Sequence, residues 1–347
     1  MTKKPICWGA GLIALDIIMN GSPDTPPRLS AGGSCGNVMT ILSYLGWSAF
    51  PIARLGSNNA THELLEDLNR WGVKNKFISA TTEGSTAIII HRILKNKAGK
   101  PVHRFEFKKP NTNQWLPGYK PVLSKEVEKL SEKLPAPKLF YFDRVSRATI
   151  ELAKIAKSKG AIVFFEPSSI GDPKHFRECL TTTDIIKFSS DRIPEYKTEF
   201  KKSKVPLEIE TLGEKGINFR LKGSGKWNLI NSYSISEVVD AAGAGDWCSA
   251  GIIMSLCGEG AKTPKDWSKT YVASALKTGQ FYGALNCFFD GARGIMYDLN
   301  KKTFDTIVSV KNISKSSIKR EEILKKTESN YKKFVAADID RLIFSEI

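Results

Sequence analysis

Val239-Asp240-Ala241-Ala242-Gly243-Ala244-Gly245-Asp246-Trp247-Cys248-Ser249-Ala250-Gly251 places small residues from Ala241 to Gly245 ahead of an acid, Asp246, which opens an apolar run to Cys257. The run reads as a buried helix over 245–257, entered through a glycine-rich turn. N–H groups in the first turn of a helix lack intrahelical acceptors, and with the helix dipole they favour an anion. An aspartate placed there is either an N-cap or a base. As a base it would take a proton from a hydroxyl while the N–H groups hold a transferring phosphoryl group. The stretch alone leaves both readings open.

Upstream, helices and strands alternate. Helix 124–132 precedes strand Lys138–Phe142, helix 147–158 precedes strand Ala161–Phe165, and a shorter helix near 173–179 precedes strand Asp184–Phe188. This rhythm predicts a parallel sheet. Ligands of such sheets sit beyond the carboxyl ends of the strands, which makes Asp143, Glu166 and Ser189 candidates by position. Earlier still, 6–19 reads as one apolar strand containing Gly9 and Gly11, with Asp16 alone among apolar residues near its end. Asp16 is either a turn residue or a ligand for hydroxyl groups. Ala31-Gly32-Gly33-Ser34-Cys35-Gly36-Asn37-Val38 then leads into a helix that ends at Gly46. Strand 49–56 and helix 61–71 follow. Thr86–Leu94 and Val102–Lys108 form a hairpin that interrupts the α/β rhythm and predicts a small β-sheet lid.

Downstream of the sheet, Thr211-Leu-Gly213-Glu-Lys-Gly216 lies between two strands. A dinucleotide-binding glycine fingerprint would need a helix there, so the stretch is either a hairpin turn or a nucleotide cradle. Helix 265–283 leads into Ala284–Gly294, and residues 301–347, basic with helical spacing at Ile323, Leu324, Tyr331, Phe334 and Val335, predict a C-terminal helical extension.

The 347 residues suffice for one large α/β domain, and no apolar run of 18 residues suggests a membrane span. The six cysteines are scattered without a C-x-x-C pair, as expected of reduced core thiols in a cytoplasmic protein. A net charge of +16 is spread along the chain without aromatic interleaving. That argues for a solvated basic surface able to steer an anionic substrate, and against a nucleic-acid partner.

In order, these motifs resemble the ribokinase/PfkB family of sugar and nucleoside kinases over about residues 5–295. Gly32-Gly33 with Asn37 and Leu45-Gly46 is similar to its N-terminal signature. Val239–Asp246 is similar to its C-terminal signature, D-T-x-G-A-G-D. Thr211–Gly216 matches the nucleotide-loop motif between them. The resemblance implies a three-layer, Rossmann-like α/β domain over 1–300, its mostly parallel sheet flanked by helices, with lid segments at about 15–30 and 84–110. It implies phosphorylation of a hydroxyl group of a sugar or nucleoside by ATP with Mg2+. Asp246 would be the base, with Gly243, Ala244 and Gly245 forming the anion-binding turn. Asp16, Gly32, Gly33, Asn37 and Asp143 would line the acceptor site. Lys187, Ser189, Arg192, Thr211, Gly213 and Gly216 would face the nucleotide, with Asn286 near the adenine pocket. Asp240, the Ala242 carbonyl and the Gly291–Gly294 segment fall where some members bind a monovalent cation such as K+. An exposed lid sheet is also a surface through which two copies would pair.

Two departures stand out. The family's usual N-x-x-E after the fourth strand is here Ser189-Ser-Asp-Arg192. Either Arg192 contacts phosphate while Asp191 or Glu195 serves the metal, or the change marks a weakened, ligand-binding member or an anionic substrate. Ala241 stands where Thr is usual, which leaves base and turn intact.

Overall fold

The computed structural model describes residues 4–20, 26–97, 101–110, 112, 114–222, 224–308, 317–324, 339 and 343–344. Its strands are β1 (Ile6–Ala10), β2 (Ala14–Asn20), β3 (Arg28–Gly32), β4 (Ser48–Gly56), β5 (Ile78–Thr81), β6 (Ala87–Lys95), β7 (Pro101–Glu106), β8 (Leu139–Phe142), β9 (Ile162–Phe165), β10 (Ile185–Ser189), β11 (Leu207–Thr211), β12 (Ile217–Leu221), β13 (Asn228–Ile230), β14 (Ser234–Ile235) and β15 (Ser317–Ile318). Helices are α1 (Ser34–Tyr44), α2 (Asn59–Arg70), α3 (Val127–Lys133), α4 (Arg147–Ser158), α5 (Pro173–Thr182), α6 (Tyr196–Glu199), α7 (Ala244–Cys257), α8 (Lys269–Asn286), α9 (Gly294–Asp298), α10 (Lys301–Ile307) and α11 (Arg320–Leu324).

Nine strands form the main sheet in the order β13-β12-β11-β10-β9-β8-β1-β4-β5. Pairing is parallel from β11 through to β5, while β12 and β13 return antiparallel. The central strands are short apolar runs because they are covered on both faces. Successive side chains alternate between the two sides: Leu139 and Tyr141 enter the core shared with α1, α2, α7 and α8, and Phe140 and Phe142 enter the core shared with α4 and α5. The three layers follow directly from that alternation.

A four-stranded sheet, β3-β2-β6-β7, forms the lid. Here the structure corrects the single strand expected over 6–19. The chain breaks at Gly11–Ile13, so β1 belongs to the main sheet and β2 to the lid. The cause is local: Gly11 has φ 154°, a Cβ there would strike the Asp143 carboxylate, and the Leu12 N–H donates to Asp143 Oδ1 at 2.9 Å. Helix α8 likewise begins later than expected. Pro264–Asp266 forms a separate 3-10 turn, and Ser268 then caps the helix by accepting from the Tyr271 N–H at 3.2 Å.

Past α10, β15 pairs parallel with β14, and Ile318, Ile323, Ile339, Ile343 and Phe344 join the core that holds α7 and α8. Tyr331, Phe334 and Val335 lie outside the described residues. All six cysteines are buried and unpaired, and no helix among the described residues is long and apolar enough to cross a membrane.

Candidate active site

The turn before α7 is built around Gly243, which caps the helix in the left-handed region at φ 73°. A Cβ at that position would run into the backbone of Ala292, so only glycine fits both the conformation and the space. The Ala244 N–H donates to the Ala241 carbonyl at 3.3 Å. Those of Gly245 and Asp246 have no acceptor among the described residues. Two open N–H groups at the head of a 14-residue helix therefore face outward. Behind them α7 lies backbone to backbone on α8. A Cβ on Gly251 would meet Gly279, one on Gly279 would meet the Cys248 carbonyl, and one on Gly283 would meet the Ala244 carbonyl.

Asp246 is held from the opposite side of the cleft, where Asn37 Nδ2 on α1 donates to its Oδ2 at 2.7 Å. Burial pushes the Asp246 carboxyl up to about 8, the nearby Glu166 charge pushes the same way, and the Asn37 hydrogen bond and Lys187 oppose them. Glu166, at the carboxyl end of β9, accepts from the Lys187 amine, the Ser249 hydroxyl and the Tyr141 hydroxyl, the last at 3.0 Å. Lys187 also donates to the Gly245 carbonyl at 3.2 Å, which ties β10 to the underside of the turn. Burial works against its charge, but Glu166, Cys248 and Asp246 hold the amine above the ordinary lysine range. A charged amine beneath a pair of open N–H groups suits a phosphate-bearing ligand such as ATP.

On the acceptor side, Asp16 sits on β2 with the Gly32 backbone pressed against its carboxylate. Its Oδ1 is buried and has no partner among the described residues, and the same is true of Asn37 Oδ1. Burial pushes the Asp16 carboxyl up to about 7, with Arg293 opposing and Asp67 reinforcing the shift. Two orphaned acceptors in a buried site fit hydroxyl donors from a ligand. Gly33, at φ 76°, is the N-cap of α1 and lies against the Leu12 carbonyl. Asp143 is different. One oxygen accepts from the Leu12 N–H and the other from the Ser34 hydroxyl, with Arg144 at 3.1 Å, so it clamps the β1–β2 crossing to α1.

Of the nucleotide-side candidates, Lys187 is buried on β10 and the rest lie at strand ends and in open turns. Ser189 Oγ accepts from the Asp191 N–H at 3.2 Å, and Arg192 is exposed. Thr211–Gly216 connects antiparallel β11 and β12 as a hairpin, with Gly213 at φ 59° and Gly216 at φ 105°. Thr211 Oγ1 donates to the Phe188 carbonyl at 3.4 Å.

Asn286, expected near the adenine pocket, is fully buried, and its Nδ2 donates to the Ala242 carbonyl at 2.9 Å and the Gly291 carbonyl at 3.3 Å. Asp240 accepts from the N–H groups of Ala242 and Gly291, both at 2.9 Å. Sequence reasoning missed Tyr141 and Ser249 as partners of Glu166. Ser249 was within reach, because it lies one helical turn after Asp246 and so on the same face of α7.

The model of the pfkB family of carbohydrate kinases matches residues 25–286. A probable fructokinase of Arabidopsis thaliana is 23% identical over 293 residues, spanning 75% of this chain and 85% of its own. An uncharacterized sugar kinase from Pyrococcus horikoshii superposes with a TM-score of 0.65 at 18% identity, covering 90% of this chain and 99% of that one. A fructokinase double mutant of Vibrio cholerae, bound to fructose, ADP and a potassium ion, gives 0.60 at 16% identity over 83% and 94% of the two chains.

Proposed function

The chain belongs to the pfkB family of carbohydrate kinases, and from that premise we propose that it transfers the γ-phosphoryl group of ATP to a hydroxyl of a small sugar with Asp246 as general base. One observation carries the reading. The Asp246 carboxylate, oriented by Asn37 at 2.7 Å, stands in the first turn of α7 beside the two N–H groups that lack acceptors. The acceptor hydroxyl gives its proton to Asp246 as its oxygen attacks the γ-phosphorus. The bond to the β–γ bridging oxygen breaks and ADP leaves, while the N–H groups of Gly245 and Asp246 and the Lys187 charge stabilise the developing negative charge. Mg2+ would enter with ATP and neutralise phosphate charge. With its carboxyl pushed up to about 8, Asp246 carries a proton at neutral pH and becomes the proton acceptor as pH rises through about 8, so turnover should rise over that range.

A sugar is favoured over a nucleoside by the lid. Phe105 and Phe107 are the lid aromatics that could stack on a base, and Phe105 packs instead on the His91 and His103 rings at 5.0 and 5.3 Å between centroids. The orphaned oxygens of Asp16 and Asn37 call for hydroxyls. ATP consumption measured across a panel of sugars and nucleosides tests this. Turnover confined to nucleosides would overturn the sugar reading. Silence throughout, with ligands still raising Tm, would make the chain a binder, as the Ser189–Arg192 departure allows.

A further inference from the structure

The donor set of the expected monovalent-cation site does not fit a cation. Such an ion is held by oxygens whose lone pairs replace its hydration shell. Here both Asp240 oxygens and the Ala242 and Gly291 carbonyls already face N–H groups. Asp240 Oδ1 accepts from Ala242, and Oδ2 accepts from Gly291, each at 2.9 Å. The Ala242 and Gly291 carbonyls share the Asn286 amide at 2.9 and 3.3 Å. The orientation of that amide is fixed, because Asn286 Oδ1 accepts from the Ile295 N–H at 3.5 Å and a flip would set oxygen against two carbonyl oxygens. The partial positive charge of the NH2 group thus sits between the carbonyls, in a residue with no solvent exposure.

We propose that the Asn286 side chain takes the place of the monovalent cation, so that the anion-binding turn is held in shape without K+. Asn286 is the last residue of α8, and Ala242 immediately precedes the helix cap Gly243. Its amide therefore ties the entry of the turn to the Gly291 loop and, through that tie, fixes where the Gly245 and Asp246 N–H groups point. It is a positioning residue, since its amide hydrogen-bonds to Ala242, Gly291 and Ile295 and to no reacting group. Its catalytic consequence rests on the kinase reading above, but its effect on cation binding does not.

The test compares KCl with choline chloride at equal ionic strength, reading both Tm and kcat/KM. The wild-type protein should show the same Tm and the same kcat/KM in both salts. Asn286→Ala, which opens the space, should lose on the order of tenfold in kcat/KM in choline chloride and recover it saturably as KCl is added, with a parallel rise in Tm. Asn286→Asp, which sets a carboxylate against the carbonyls, should show the same KCl-dependent rise in Tm. A saturable gain in Tm or activity of the wild type on adding KCl overturns the proposal. An Asn286→Ala protein indistinguishable from wild type in choline chloride overturns it too. If neither variant folds, the wild-type arm decides alone. Absence of phosphoryl transfer in either salt would sink the kinase reading, and the Tm arms would still report on the cation.

Discussion

The two sides of the proposed phosphoryl-transfer centre are built differently. The base side is interlocked: Asp246 is tied to Asn37, its turn to Lys187, and Lys187 to Glu166, all on separate elements of the main sheet and its helices. The nucleotide side is a set of surface turns, Ser189–Arg192 and Thr211–Gly216, whose contacts are mostly with their own backbone. A proton-transferring group must be held within a fraction of an ångström, whereas a nucleotide carries enough contact area to order exposed turns itself. On this reading, departures from the family pattern fall where the ligand would do the organising.

The largest effect should come from breaking the base side. Asp246→Asn keeps the shape and removes the base, so kcat should fall on the order of 10³-fold in a coupled ADP-release assay. Turnover within tenfold of wild type would place the base elsewhere. The same variant reports on stability. Folding raises the Asp246 carboxyl from 3.8 to about 8, so the folded state holds that proton more tightly, and its stabilising effect is full below 3.8 and lost as pH rises through about 8. The Tm of Asp246→Asn relative to wild type should therefore climb over that window, and a flat difference would contradict the buried charge.

Next in size is Asp16→Asn, expected to raise KM for the acceptor by about 10–100-fold with KM for ATP unchanged, because only the hydroxyl-accepting oxygen is altered. An equal rise in both constants would mean that Asp16 supports the fold rather than the acceptor. Glu166→Gln should be milder. It removes a charge that raises the Asp246 carboxyl, so the limb of kcat/KM near pH 8 should move to lower pH. A limb that stays put would show that Glu166 acts on Lys187 alone. Smallest is Arg192→Glu, which restores the sign usual in the family at an exposed position. It should change KM for ATP by less than about tenfold, and a larger loss would show that Arg192 has become part of the site.

The sheet and its order of elements were legible because buried parallel strands and amphipathic helices leave different periods. Helix α4 was expected over 147–158 and is found there, its first turn closed by the reciprocal Ser146–Thr149 cap. The split of β1 from β2 was not legible: apolar residues continue across it, and only the contact of Gly11 with Asp143, 132 residues later, forces the crossing. At the site, the Gly243–Asp246 turn could be read locally because helix N-termini follow local rules. Asn286 could not, since its role depends on two carbonyls brought together from residues 44 and 5 positions away.

The glycines along α7 and α8 have a consequence for motion. Helices separated by large side chains can shear by letting rotamers hop, but at Gly251, Gly279 and Gly283 the backbones of α7 and α8 approach closely, with only the Cys248 and Ile252 side chains beside them. Such close packing favours movement of the turn together with α8, and hydrogen exchange along both helices should then register a single shared opening.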